Sequence, residues 1–310
     1  MNRLYESIGI TKQAVHGLVK RKHSQMDLSG QLLMLAHQIR RDHPTMGVRE
    51  MYFKLEPQGI GRDAFEKLCM TNGLKVSKSK NWRKTTDSQG VKRFDNLLEK
   101  TKVKKMNQVW QSDITYFELN GRFYYITLIQ DVYTKMIVGH HCSKRLKTVE
   151  TTLPALHRAI NRYGKEDLKK LIFHSDGGGQ YYAKKFTELI KENEMKSSMG
   201  KSCYENAMAE SLNGVIKNKY LEHYEIRTHE ELTKSLDRVV KLYNIDKPHS
   251  SLNRMTPKEV EQMCLASQSQ TKATMKKSID AKTSQEEASS LHLTCQTKAR
   301  NQISSPQRLL

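Results

Sequence analysis

The chain has 310 residues, with 53 Lys plus Arg against 33 Asp plus Glu and a formal net charge of +20, a balance that favours a polyanionic partner through phosphate contacts and counterion release. No apolar run of about 20 residues and no signal-peptide pattern appears, which disfavours membrane insertion and secretion and leaves the cytoplasm as the expected location. The five cysteines, Cys69, Cys142, Cys203, Cys264 and Cys295, show no paired spacing, which argues against a disulfide framework or a structural zinc site.

At the N-terminus, Ile8-Gly9-Ile10-Thr11-Lys12 reads as a glycine turn leading into a helix over 8–21, so a helix-turn-helix segment is expected within 1–26. The plainer alternative is a small helical bundle. Three short amphipathic helices follow, Leu28 to Arg41, Val48 to Leu55 and Asp63 to Asn72, with Gly47, Gly59 and Gly61 at the breaks, which makes 27–74 a small helical domain of DNA-binding type. Residues 75–106 form a basic linker: Lys75 to Lys105 holds eleven Lys and Arg against Asp87, Asp95 and Glu99. Such a run is either a solvated connection or a track for DNA.

The predicted core spans 107–262. Val109 to Leu119 is rich in β-formers, Asn120-Gly121 is a strong hairpin signal, and Phe123 to Ile129 is a second apolar run. A polar break at Asp131 to Thr134 precedes a third strand, Lys135 to His141, and Asp131 is expected to pair locally. A helix capped by Thr148 carries Leu153, Leu156, Ile160 and Tyr163 at helical spacing until Gly164 ends it. Leu171-Ile172-Phe173 suits a buried strand reached by that crossover. Between Asn206 and Tyr224, residues Ala209, Leu212, Ile216, Tyr220 and His223 recur on one stripe of a long helix.

Three carboxylates fall at informative places in this pattern: Asp113 on the first strand, Asp176 at the end of the buried strand, and Glu210 on the long helix. Carboxylate oxygens suit a hard cation such as Mg²⁺, and two such ions held about 3.5 to 4 Å apart clamp both oxygens of an in-line phosphoryl displacement. The set therefore reads as a two-metal site acting on DNA. Lys217 lies seven positions beyond Glu210, two helical turns along nearly the same face, where a cation would meet a phosphate.

The motifs around these residues resemble the integrase-core, or DDE, transposases of bacterial insertion sequences, in particular the product of their second reading frame (OrfB or InsO-like). The resemblance rests on Trp110 with Asp113-Ile114-Thr115-Tyr116, on His174-Ser175-Asp176-Gly177 with Gln180-Tyr181, on Asn206-Ala207 with Glu210-Ser211, and on Tyr243-Asn244, Lys247-Pro248-His249, Leu252 and Thr256-Pro257. It covers roughly 40–262 and includes His43-Pro44 through Gly47-Val48-Arg49. It implies an α/β, RNase H-like integrase core with a mixed five-stranded sheet flanked by helices. It also implies Asp113, Asp176 and Glu210 as catalytic and metal-binding residues, two Mg²⁺ ions with Mn²⁺ able to substitute, and DNA cleavage followed by strand transfer.

Lys217, Lys219, Gln180 and Tyr181 are the expected DNA contacts, although Gln180 and Tyr181 have loop shaping as an alternative role. Trp110, Thr115, His174 and Asn206 are the expected supporting residues, with core packing the alternative for Trp110. The expected partners are element ends and target DNA, further copies of the chain, and the upstream reading-frame product; location at the nucleoid follows when DNA is bound. A non-catalytic DNA-binding regulator and an inactive transposase remnant are the alternatives.

Three features depart from the family pattern. The Asp176 to Glu210 interval is slightly short, Gly177-Gly178-Gly179 is an unusually bare glycine run, and 263–310 is a Ser, Thr, Gln and Lys rich tail. That composition is expected to stay disordered, above all from 265 onward, for want of apolar surface to bury.

Overall fold

The structure, a computed structural model, describes residues 7, 9–76, 94–200 and 207–270. Residues 201–206 with Cys203 and Asn206, residues 77–93 of the expected basic linker, and residues from 271 with Cys295 lie outside the described residues. Contacts divide the chain into units at 1–260 and 261–310.

The first unit begins with one long helix, α1 (Lys12–Asp42), whose N-cap Thr11 accepts the Ala14 amide at 3.2 Å after Gly9 turns the chain at φ +65. The break expected between 21 and 28 is absent. Residues 21–28 contain neither Gly nor Pro, so nothing in them stops a helix from propagating. Only Leu32, Ala36 and Ile39 of α1 are buried. They pack with Met51 of α2 (Val48–Leu55) and with Phe65 and Cys69 of α3 (Arg62–Thr71). Gly47 and Gly61 serve as the N-caps of α2 and α3, where the sequence predicts breaks. The Arg40 guanidinium donates to the carbonyls of Pro44, Met46 and Leu74 at 2.7–2.9 Å, closing this small bundle.

The core is built on β1 (Val109–Leu119), β2 (Arg122–Asp131) and β3 (Ile137–Ser143), an antiparallel meander. Asn120 and Gly121 both take positive φ, +52 and +72, as a two-residue hairpin of matching twist requires. The third strand starts two residues later than expected, because Lys135 sits at φ +60 in the preceding turn. Buried Asp131 organises that turn, accepting from the Thr134 amide and hydroxyl and from the Asn107 amide at 2.7–2.8 Å. Its expected local pairing is what the structure shows.

The crossover helix α4 (Thr152–Asn161) follows Thr151, not Thr148. The Glu150 and Thr151 amides already close a turn on the Lys147 carbonyl, which displaces the helix start. A short helix α5 (Lys165–Leu168) leads to β4 (Ile172–Ser175), parallel to β1, and α6 (Lys184–Glu192) leads to β5 (Lys196–Met199), parallel to β4. The sheet order is β3-β2-β1-β4-β5. Three antiparallel strands followed by two parallel ones, with helices on both faces, make the RNase H-like integrase core that the resemblance implies.

Two further helices cover the sheet, α7 (Ala207–Lys219) and α8 (His229–Ile245). On one face Trp110, Leu156, Phe173 and Phe186 form a buried cluster; on the other Phe117, Ile126, Leu128, Ile216, Leu236 and Val239 form a second. The helix expected to run to Tyr224 ends at Lys219, with His223 in a following turn of 3₁₀ helix. Residues 261–270 are helical as well, so the disorder expected from 265 does not hold for 265–270. The hydroxyls of Ser267 and Ser269 bond back to the Met263 and Leu265 carbonyls, the arrangement a serine adopts when it sits inside a helix.

Candidate active site

β1 and β4 run side by side, with Ser112 in register with Ser175. Asp113 on β1 and Asp176, the residue directly after β4, therefore each follow one member of the last registered pair of these neighbouring parallel strands. Asp113 lies on the face of β1 that also carries Phe117 and Leu119, against which Leu212 and Ile216 of α7 pack. Asn213 of α7 donates to Asp113 Oδ2 at 2.9 Å, and the Ile114 amide donates to Oδ1 at 2.9 Å. Glu210 precedes Asn213 by three positions, in the first turn of α7 and exposed, so both residues lie on the side of the helix turned toward Asp113.

Electrostatics couple the three carboxylates. Burial first, and then the charges of Asp176 and Glu210, push the Asp113 carboxyl up to about 7 against the two hydrogen bonds that favour its charged form. Burial likewise raises Asp176, opposed by the Gly178 amide, which donates to Oδ1 at 3.2 Å. Among the described residues no group of three or more His, Cys, Asp or Glu is close enough to hold a metal ion. The fold thus brings Asp113 and Asp176 together and couples Glu210 to Asp113 without closing the three into one ligand set. The donor chemistry is nonetheless that of a hard-cation site: oxygen atoms only, half-buried at Asp113 and Asp176 and exposed at Glu210, and carrying mutual repulsion that a divalent ion would relieve.

The expected contact and supporting residues divide clearly. The Lys217 ammonium lies 4.6 Å from the centroid of the Tyr116 ring, three residues beyond Asp113 on β1. Lys219 is exposed at the end of α7, and Gln180 is half-buried with its Nε2 toward the Leu146 carbonyl at 3.5 Å. Tyr181 is a correction. It is 3% exposed, packs against Phe173 and Phe186, and its hydroxyl lies 2.9 Å from Ser112 Oγ, so it shapes the floor beneath the carboxylates and offers no surface to DNA. Burial, with the nearby Asp176 and Asp113 charges, raises its phenol well above the usual range.

Trp110 is fully buried, donating to Asn107 Oδ1 at 3.1 Å. Buried His174 bonds through Nδ1 to Ser198 Oγ of β5 at 2.9 Å. Thr115 is half-buried on β1. His249 of the Lys247-Pro248-His249 motif is buried, with its ring 4.6 Å from that of Tyr243. Asn213 was not anticipated; its signal was its place one turn after Glu210 on the same helical face.

Residues 103–203 match one model of the Integrase core domain family, and 193–257 match a second. The chain is 31% identical over 258 residues to the insertion element IS600 uncharacterized 31 kDa protein of Shigella sonnei, covering 80% of this chain and 94% of that one. It is 29% identical to the transposase for insertion sequence element IS629 of Shigella sonnei, covering 73% and 77% respectively. The solved HTLV-2 integrase catalytic core domain, in complex with magnesium in its trimeric form, shares 21% identity with a TM-score of 0.41 over 50% of this chain and 96% of that one.

Proposed function

The chain belongs to the insertion-sequence transposases of the DDE integrase superfamily, and from that premise we propose that it cuts element ends from DNA and joins them to target DNA in a metal-dependent reaction at Asp113, Asp176 and Glu210. The observation that carries this reading is the juxtaposition of Asp113 on β1 with Asp176 directly after the adjoining strand β4, and the coupling of both Asp176 and Glu210 to Asp113. Two Mg²⁺ ions, or Mn²⁺ in their place, held by these carboxylates would supply Lewis-acid activation of the attacking hydroxyl and stabilisation of the leaving oxygen.

The protein's own groups do the positioning. Asn213 and the Ile114 amide fix both oxygens of Asp113. The buried pair of Tyr181 and Ser112 stiffens the strand floor beside it. Lys217, on the outer part of α7, offers a cation to the phosphodiester next to the carboxylates. With hydroxyl attack of this kind no covalent enzyme intermediate is required. DNA is the substrate in this reading, further copies of the chain and the upstream reading-frame product are the protein partners, and the nucleoid is where it acts.

The test is Mg²⁺-dependent cleavage and joining of a labelled duplex bearing the element's own ends, with the upstream product supplied in parallel. Glu210→Gln is expected to abolish both steps while leaving DNA binding intact. Equal activity of the intact and Glu210→Gln chains sinks the three-carboxylate mechanism. Equal inactivity with DNA binding retained favours a non-catalytic DNA-binding protein or an inactive remnant.

A further inference from the structure

We propose that His43 is a positioning residue for Glu210, fixing the far end of the helix that carries it and so tying the N-terminal bundle to the three-carboxylate site. What Glu210 does there rests on the strand-transfer reading above; where His43 holds it does not.

His43 follows the last residue of α1 and is 1% exposed. Both ring nitrogens are engaged across the fold: Nδ1 lies 2.7 Å from the Tyr220 hydroxyl and Nε2 lies 2.7 Å from Asp246 Oδ2. Tyr220 directly follows α7, and Asp246 directly follows α8. One buried imidazole therefore joins the C-terminal ends of the two helices that cover this face of the sheet.

The direction of the bonds follows from the partners. A carboxylate only accepts, so Nε2 carries the hydrogen; burial keeps the ring neutral near pH 7, so Nδ1 accepts from the Tyr220 hydroxyl. Asp246 also receives Lys54 of α2, whose ammonium reaches both its side chain and its carbonyl. Parallel attachments surround this relay. The Tyr224 hydroxyl donates to the Asp42 carbonyl at 3.2 Å, Arg238 pairs with the Asp42 carboxylate at 2.7 Å, and the Thr45 hydroxyl reaches the Lys219 carbonyl at 3.4 Å.

Along its length α7 is also held at its middle by Asn213 on Asp113 and, near the Tyr220 end, by Lys217 over Tyr116. A 13-residue helix moves nearly as a rod, so the attachment at Tyr220 sets how far along and how deeply Glu210 stands against β1. Apolar packing alone would need no directional relay, since a buried polar ring costs stability unless every polar atom is matched. The geometry suits orientation, and a misplacement of about 1 Å at a reacting centre costs on the order of 100-fold in rate.

The experiment compares the full chain with Tyr220→Phe, which keeps the ring, with His43→Ala and with the double variant, measuring kcat and KM for the end duplex in Mg²⁺. Expected are kcat losses of about 10-fold for Tyr220→Phe and on the order of 100-fold for His43→Ala, with KM constant within about 2-fold. The double variant is expected to match His43→Ala, because both changes break the same relay. A folded Tyr220→Phe chain with unchanged kcat, or one altered only in KM, overturns the proposal; this variant decides alone if His43→Ala fails to fold. If the intact chain neither cuts nor joins, the strand-transfer reading fails by itself. Hydrogen exchange over 207–219 then decides the positioning role: exchange about 10-fold faster in Tyr220→Phe supports it, and equal exchange overturns it.

Discussion

Asp113 is held in its charged form by two donors and pushed out of it by burial and by two neighbouring carboxylates. Of the two donors, Asn213 is the one a side-chain change can remove. Asn213→Ala withdraws a charge-assisted bond, a contribution of about 1.5–3 kcal/mol, and leaves the half-buried carboxylate less able to stay ionised. The expected result is a loss of cleavage and joining on the order of 10-fold to 100-fold at unchanged DNA affinity, checked by kcat and by duplex binding in parallel. Asn213→Asp is expected to be worse, since it adds a further negative charge at the same spot. The carboxylates themselves were legible because each lay within a distinctive run of neighbours; Asn213 was not, because its role depends on a contact 100 residues away in sequence. Tyr181 was misread for a similar reason: a tyrosine next to a polar glutamine in a glycine loop looks exposed, and only the packed Phe173 and Phe186 reveal it as core.

Among the elements, β3 and α4 meet most closely at Gly139, where a Cβ would stand 2.3 Å from the Ala155 carbonyl oxygen and 2.9 Å from Ala159 Cβ. Gly139→Ala is therefore expected to destabilise by about 1–3 kcal/mol, as overpacking does, read as a lower urea midpoint at unchanged slope. An unshifted midpoint would mean that α4 can retreat from the sheet without cost. The meander was readable because its hairpin chemistry is local: Asn120-Gly121 supplies two positive φ values and needs no distant partner. β5 was not readable from its residues, Lys196-Ser197-Ser198-Met199, since its stability comes from pairing with β4 and from Ser198, which bonds His174 and the Leu97 amide. Helix α8 is legible in its sequence, where Leu232, Leu236, Val239, Val240 and Tyr243 recur at helical spacing and are buried. In α1 the two helices expected on either side of residues 21–28 are one, because those residues carry no helix breaker.

At the scale of the molecule, attachment of the bundle to the core is acid-sensitive. Burial holds His43 below its ordinary 6.5, opposed by Asp246. Asp246 lies below its ordinary 3.8: burial would raise it, but the bonds from Lys54 and His43 outweigh that effect. Both groups bind protons more weakly folded than unfolded, so each contributes stability that is present above its ordinary value and is lost as pH falls through the lowered one. The part of the urea midpoint that these two groups supply is expected to decline from about pH 6.5 downward and again below about 3.8, while Asp113, Asp131 and Asp176, whose carboxyls are raised, shift the midpoint the other way as pH falls. In His43→Gln the first decline shrinks without vanishing, because His141 and His249 are lowered by burial as well. An identical decline in the variant would remove His43 from the account.

Helix α1 has one more consequence. Its 31 residues span roughly 46 Å at about 1.5 Å per residue, yet its buried side chains all lie between Leu32 and Ile39, and it stops one residue short of His43. It is a lever gripped from Leu28 onward, where apolar contact with the bundle begins, and exposed among the described residues from Lys12 to Asp27 save for half-buried Val15. On the His43 proposal, a sideways load near Lys12 reaches that joint as torque, so whatever grasps the exposed arm is felt at Glu210 without coming near it.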